Sequence, residues 1–459
     1  MADVSSQPPS QPPQSGPSSQ GEAFIPYLRR ELLSLCMADG RLSPADQDQF
    51  KHFCELFAAY THFEFHREAE EFKSHYWCFN PDHEGRTCTE APAAELESAA
   101  KAVVGSFRSF AERANYREVS QEELERSFKD STLVELATDV DLNDFKRVAT
   151  FARGSSRRTI KVPRMFRQVD VEAEFWDCVI LLLHFKDESH FITPKHRKTG
   201  TRPDLRFKPG KIYTYHYKDV PKCDLELLFP NVRISMTKKD KIMMSVPAIG
   251  AGAAVMAKVG GQFVILVVAV AIAMGWTWLR HQIDPLEQHN SVQALAALSA
   301  IFTIILALGG FAFKQWNTYK NKRNNFLKLV AENLFYRNLA TNQSVFSRLL
   351  DSAEEEECKE AMLVYYHLLA NGGQPMTAAQ LDASIESWMR EKFGTVINFD
   401  IQGPIKNLSR IQGRNRAGET VPLLTTDAQG HLQIPPLADA LHILDDIWDT
   451  AYRYSGVTV

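Results

Sequence analysis

The chain has 459 residues, of which 44% are hydrophobic and 24% charged, with a formal net charge of −4 at pH 7 and a mean hydropathy of −0.26. That length leaves room for two or three domains, and the composition excludes a polytopic transporter. The seven cysteines (Cys36, Cys54, Cys78, Cys88, Cys178, Cys223, Cys358) are scattered and form no C-x-x-C; isolated thiols of this kind suit a reducing compartment.

Residues 1–22 are rich in Pro, Ser, Gln and Gly and hold no Lys or Arg, so they read as a disordered tail, not a secretory or transit signal. A helical N-terminal region is expected over 23–144. Ser43-Pro44-Ala45-Asp46 is a helix start, with a Ser cap, Pro in the first turn and an acid at the third position. Phe50, Phe53, Cys54 and Phe57 then mark one apolar face. Asn80-Pro81-Asp82 ends the run, and a second helical, acidic stretch follows over 91–144.

Residues 145–240 form a basic, β-rich region. Residues 175–185 (FWDCVILLLHF) are a continuous apolar run of strand length, and 211–217 (KIYTYHY) alternate. With 147–153 and 158–162 they predict a small antiparallel sheet. Between 146 and 218 there are seventeen Lys/Arg against seven Asp/Glu, whereas 90–144 nets −7.

Residues 259–279 and 292–313 are apolar and about as long as the ~20 residues that cross a ~30 Å hydrocarbon core. They predict a transmembrane hairpin. Arg233, Lys238, Lys239 and Lys241 precede it, and Lys314, Lys320, Lys322, Arg323 and Lys328 follow it. The positive-inside rule then places both termini in the cytoplasm, at the plasma membrane if the source is bacterial. Residues 241–258 are also apolar. Joined to the first span they would make a helix of roughly 57 Å, so an interfacial or re-entrant segment is favoured over a third span. The spacing of Gly250, Gly252 and Ala254 permits close helix packing. Lys258 is the one full charge between 242 and 279, either a functional group or, as favoured, a side chain snorkelling at the interface.

A helical region is expected over 314–375, ending at Asn371-Gly372-Gly373, with the acidic run 354–357 as a helix N-terminal turn. Residues 376–459 read as a small domain in the order helix, helix, hairpin, helix. That order is winged-helix-like, although its acidic balance argues against DNA binding.

Several stretches resemble the transmembrane protein 143-like family of membrane proteins of unknown function. They include Phe24-Ile25-Pro26, Phe65-His66, Asn80-Pro81-Asp82, Asp144-Phe145-Lys146-Arg147-Val148, and Tyr217-Lys218-Asp219-Val220-Pro221 with Leu228-Phe229-Pro230. Leu334-Phe335-Tyr336-Arg337-Asn338-Leu339, Leu349-Leu350-Asp351-Ser352-Ala353-Glu354 and Ile447-Trp448-Asp449 continue the series. The resemblance implies a two-pass protein and no catalytic residues.

Motifs for catalysis are absent: there is no P-loop, no G-x-S-x-G and no usable G-x-G-x-x-G. His62 and His66 flank Glu64 as H-x-E-x-H, not the metalloprotease H-E-x-x-H, with His52 and His75 nearby. Polar partners on amphipathic helices are the plainer explanation. Asp139, Asp141 and Asn143 mimic a calcium loop, but Asp144 and Thr150 stand where Gly and Glu are required. The candidate contact to an anionic surface is Arg153, Arg157, Arg158, Lys161, Arg164, Arg167, Lys195, Arg197 and Lys198. Each cation near an anionic lipid surface contributes about 1 kcal/mol; the alternatives are intramolecular pairing with the acidic stretch, or a phosphorylated or nucleic-acid ligand.

The sequence therefore predicts a mixed α+β membrane protein: mostly helical cytoplasmic regions, a small antiparallel sheet, one two-helix transmembrane hairpin and a helical C-terminal region with a winged-helix-like end. Its expected role is a membrane-tethered interaction or regulatory protein. A subunit of an oligomeric pore, or an enzyme acting on a phosphorylated or lipid substrate at the membrane face, are the alternatives. Expected partners are the lipid bilayer and its anionic head groups, a second copy or a protein partner; no cofactor and no metal are expected, and nucleic acid is disfavoured.

Overall fold

The computed structural model describes residues 21–83, 92–129, 137–164, 167–192, 205–235, 335–372, 374–394 and 396–451, with short runs and single positions between 302 and 331. Contacts divide the chain into a larger unit (1–133, 141–231, 336–459) and a smaller one (134–140, 232–335). In the smaller unit, strand β2 (Ala137–Asp139) lies antiparallel to β6 (Arg233–Ser235), with Thr138 opposite Ile234.

Two long helices organise the larger unit. After α1 (Arg29–Ala38), helix α2 (Pro44–Tyr76) starts where Ser43 Oγ accepts the Asp46 N–H at 3.2 Å and Pro44 needs no donor. Its 33 residues extend about 50 Å. Phe50, Phe53, Cys54 and Phe57 on its first half enter one apolar core, whereas Phe65, Ala69, Phe72 and Tyr76 enter a second. Helix α6 (Gln343–Ala370) repeats the division in reverse: Val345, Phe346, Leu349 and Ala353 join the second core and Cys358 to Leu368 the first.

The second core is completed by α3 (Ala93–Arg113) and a five-stranded sheet, antiparallel throughout, in the order β1 (Arg117–Glu118), β3 (Phe145–Arg164), β4 (Arg167–Phe185), β5 (Ile212–Pro221) and β7 (Asn338–Thr341). Ala149, Phe151, Ile180, Leu182 and Ile212 face the helices. On the other side Phe145 packs with Phe185 and with Phe229, at the end of the 3₁₀ turn Lys222–Leu228, and Phe128 of α4 (Gln121–Lys129) meets Phe229 edge-on. Covered on both faces, residues 179–183 of β4 are fully buried, which is why this strand reads as an unbroken apolar run instead of an alternation. A one-turn helix, α5 (Glu188–Phe191), follows β4.

The first core closes over α6, α7 (Ala378–Phe393), α8 (Gln402–Arg410) and α9 (Leu437–Ala451). Thr377 and Gln380 form a capping box on α7, and Gly394 ends it in the left-handed region at φ 66°. Strand β8 (Met376–Thr377) pairs with β12 (His431–Gln433), which pairs with β11 (Thr425–Thr426); β9 (Gln412–Arg414) pairs with β10 (Thr420–Pro422).

The structure corrects three expectations. Among the described residues no helix is long and apolar enough to cross a membrane. The two expected spans, nominated by hydropathy alone, lie outside the described residues apart from single positions in 292–313. What the structure supports is a mixed α/β protein with antiparallel sheets, so the membrane class, the two-span topology with cytoplasmic termini and the plasma-membrane location are withdrawn. The pieces 147–153 and 158–162 are one strand of 20 residues, paired with β4 from Phe145↔Phe185 to Arg164↔Arg167. The run 354–357 is not a helix N-terminal turn but the middle of α6, eleven residues past its start, because partners from four other segments hold it there.

Candidate functional site

Strand β3 carries seven Lys/Arg and no Asp/Glu. The structure fixes its central arginines within the protein. Arg153 donates to the Ala114 carbonyl at 3.0 Å and its guanidinium lies over Phe24 and Tyr116, at 3.9 and 4.4 Å from the ring centres. Arg157 bonds Glu174 at 2.9 Å, a carboxylate that also takes Lys222. Arg158 reaches Asp219 at 2.6 Å and Asp177 at 3.5 Å. These carboxylates belong to β4 and β5, so cross-strand neighbours hold Arg157 and Arg158, not the acidic stretch 90–144. From that stretch Glu97 takes Arg147, while Arg153 meets it through the Ala114 carbonyl and the Tyr116 ring without a carboxylate. Lys161 stands opposite Asp170, and Arg164 opposite Arg167, at the far end of the hairpin. Lys195, Arg197 and Lys198, and likewise Gly250, Gly252, Ala254 and Lys258, lie outside the described residues.

The feature that the sequence did not disclose is the outer edge of β3. Strand β1 pairs with it only at Arg117↔Ala152 and Glu118↔Phe151, and the Val119 N–H then donates to the Thr150 carbonyl at 2.8 Å. There the chain turns away into α4. Residues 145–149 have β4 on one side and, among the described residues, no strand on the other. A groove of about 450 Å³ runs along this edge, lined by Val119, Gln121, Leu124, Leu142, Val148 and Thr150 among others. Thr150 Oγ1 is buried and has no hydrogen-bond partner. The charged residues at the groove are Glu118, tied to Arg108 by two bonds, Lys146, tied to Asp187, and Arg147. Further along, Gly154 sits at φ 73°, where a Cβ would lie 2.3 Å from Asp177 Oδ2. Only glycine lets β3 keep its pairing as the hairpin passes Asp177. Burial raises the pKa of the Glu22 carboxyl, against the lowering influence of the Gly154 backbone and of Arg153.

A second cluster lies on α6. His62 bonds Glu354 at 3.0 Å, and the Arg29 N–H donates to Glu355 at 2.8 Å. Lys359 is buried with its ammonium on Glu356 and the Ile25 carbonyl, both at 2.6 Å. Glu357 takes Arg113 and Asn407. Glu360 faces a cavity of about 170 Å³ shared with Arg113, Asp400, Gly403 and Asn407. Burial pushes its carboxyl well above the usual range, against a 2.8 Å bond from Asn115. Asn115 supplies that bond from a left-handed backbone, φ 58°. No sequence signal marked this cluster, because Glu356, Lys359 and Glu360 sit in the charged run 354–360, which reads like an ordinary solvated helix face.

No group of described residues is arranged to hold a metal ion. His62 is engaged with Glu354 and His52 lies beside Glu55 at 3.4 Å. Asp141 accepts the Asn143 N–H as a local turn cap. The described cysteines are free thiols, with Cys36, Cys54 and Cys358 buried.

Residues 176–344 match the profile of a family described as a protein of unknown function (DUF3754). The match covers less than half of the chain and begins inside β4. It replaces the expected likeness to the transmembrane protein 143-like family, which is not supported: short blocks in shared order were too weak a basis for it. No solved structure matches the chain.

Proposed function

We propose that this chain is a non-enzymatic interaction protein that engages a partner polypeptide through the free edge of β3. The observation that carries the reading is the groove beside residues 145–149, where, among the described residues, the strand has a neighbouring strand on one side only. An open edge is a template for another extended chain, and proteins ordinarily cover or blunt it. Addition of a strand from a partner is a common mode of peptide recognition. Charged groups inside the fold support a non-catalytic role, since the buried Glu356 and Lys359 and the half-buried Asp39 are each spent on contacts that hold segments together. The test is an unbiased peptide display selection against the purified chain, with each selected peptide mapped by amide hydrogen exchange. Peptides that protect residues 145–149 are expected. Selected peptides that all protect other surfaces would overturn the reading.

A further inference from the structure

We infer that the polypeptide segment added at the β3 edge is uncharged and sets a long amide side chain, that of glutamine, beside Val148. This rests on the interaction reading above and names the chemistry of the partner.

Main-chain geometry sets the register. In an antiparallel ladder the N–H and C=O of one residue point to the same side, and the side alternates along the strand. Thr150 turns its carbonyl outward to the Val119 N–H, so Val148, two residues earlier, also presents its N–H and C=O to the groove. Side chains alternate between the faces as well. Ala149 and Phe151 enter the core on the helical face, so Val148 and Thr150 stand on the other face. A residue of an added strand placed opposite Val148 exchanges main-chain bonds with it. Its side chain then falls on the face of Val148, where Leu124 and Leu142 line the groove.

Charge at the groove is already matched within the chain. Glu118 takes Arg108 at 2.8 Å, Lys146 bonds Asp187 at 2.9 Å, and Arg147 meets Glu97 and His184. The uncharged groups of α4's first turn are engaged too: Ser120 Oγ accepts the Glu123 N–H at 3.2 Å, and Gln121 donates to Glu125 at 3.0 Å. A charged occupant would shed its water without gaining a counter-charge, which selects a neutral one.

Thr150 is the exception. It is 2% exposed, and among the described residues its Oγ1 has no hydrogen-bond partner. A buried hydroxyl left in this way is a cost that an occupant with a hydrogen-bonding group removes. From the position opposite Val148, Thr150 is the diagonal neighbour on the same face, roughly 7–8 Å away, a gap for a long side chain. Glutamine fits both demands. Its aliphatic stem covers Leu142 and Val148, which are half-buried, and its amide donates to or accepts from a hydroxyl without carrying charge.

The experiment uses the full chain and fluorescence anisotropy. Three labelled nine-residue peptides alternate threonine with glutamine, with glutamate or with methionine, side chains of similar length. A fourth is the glutamine peptide N-methylated at alternate amides. The glutamine peptide is expected to bind about fivefold more tightly than the methionine one, the worth of one neutral hydrogen bond, and at least about tenfold more tightly than the other two. Its affinity should hold between about 0.05 and 0.5 M salt. In Thr150→Val, which keeps the shape and removes the hydroxyl, the glutamine and methionine peptides should bind alike. Should that variant fail to fold, the ranking of the peptides on the unaltered protein makes the test. Tighter binding of the glutamate peptide would overturn the neutral occupant, and equal binding of glutamine and methionine peptides would overturn the amide. Equal binding of the N-methylated form would overturn strand addition. Sedimentation with hydrogen exchange covers a second copy as occupant: a dimer that protects 145–149 would overturn the proposal. If display-selected peptides protect 145–149 but are charged, the neutral occupant fails and the interaction reading stands; if none protects the edge, both fall.

Discussion

Trp388 Nε1 of α7 donates to Asp39 Oδ2 at 3.2 Å across 349 positions of sequence. The same oxygen accepts the Tyr366 hydroxyl of α6 at 2.8 Å and Arg41 Nε at 2.5 Å, while Lys392 Nζ bonds Oδ1 at 2.8 Å. One carboxylate at the end of α1 thus ties the N-terminal helices to α6 and α7 across the first core.

Asp39→Asn is expected to cost about 2–3 kcal/mol at pH 7, the usual worth of hydrogen bonds to a charged group. Burial pushes the Asp39 pKa up, but the bonds from Lys392, Tyr366 and Arg41 outweigh it and hold the carboxyl far below its ordinary 3.8. A depressed carboxyl contributes stability that is fully present above the unfolded pKa and is lost as pH falls through the folded value. Urea denaturation at pH 7 and at pH 3 measures this. The gap between variant and wild type should narrow at the lower pH, and equal midpoints at pH 7 would remove Asp39 as the tie.

Arg113 is the corresponding link between helices of the second core. Its guanidinium stacks 3.9 Å from the Phe65 ring centre while bonding both Glu68 of α2 and Glu357 of α6. A lysine has the charge but neither the plane nor the fork needed to do all three. Arg113→Lys is expected to lose about 2 kcal/mol in the same denaturation assay. A change below about 0.5 kcal/mol, the size of an ordinary surface substitution, would mean that charge alone suffices there.

The legible parts of this fold are those decided by neighbours in sequence. Ser43-Pro44 starts α2, Asn371-Gly372 follows the end of α6, and Thr377 starts α7, each through contacts within four residues. The full length of the β3–β4 hairpin was not legible, because residues 153–164 lack an apolar alternation and owe their extension to pairing with β4. Glu354 to Glu357 misled for a similar reason. A local dipole argument puts such a run at a helix start, whereas His62, Arg29, Lys359 and Arg113 stabilise it in mid-helix. Of the basic candidates, composition identified the strand, but the lack of a neighbouring strand beside 145–149 among the described residues leaves no mark on β3's own sequence. Hydropathy over 259–279 and 292–313 nominated a membrane class that the structure does not support.

Acid should unfold this protein partly through histidines that fold in neutral form. Burial, reinforced by Arg348 and Arg153, pushes His216 down to about 4 from 6.5. Its Nε2 lies 3.2 Å from the Tyr116 hydroxyl, and Nδ1 is buried without a partner. A histidine with a depressed folded pKa contributes stability present above the unfolded value and lost as pH falls from 6.5 toward 4. That loss approaches about 3 kcal/mol for a shift of this size. His216→Gln should therefore show a shallower fall in stability than wild type between pH 6.5 and 4.5. Parallel curves would mean that His184 and His367, pushed down by burial to about 4 and about 3, carry the acid response instead.

Glu360 has the opposite sign. Burial in α6 raises its carboxyl well above the ordinary 4.5, and the nearby Glu356, Asp400 and Glu357 push the same way, while the Asn115 bond opposes them. A carboxyl whose folded pKa is raised contributes stability that is complete below the unfolded value and lost as pH rises through the folded one. Glutamine keeps an oxygen to accept from Asn115 Nδ2 and never ionises. Glu360→Gln is thus expected to be more stable than wild type at pH 8, with the advantage shrinking as pH approaches 4. Denaturation midpoints at the two pH values decide it. A wild type more stable than the variant at pH 8 would mean that the ionised carboxylate is favoured in the fold. Arg113, across the cavity of about 170 Å³, would then be the cation that stabilises it, and the rise attributed to burial would be wrong.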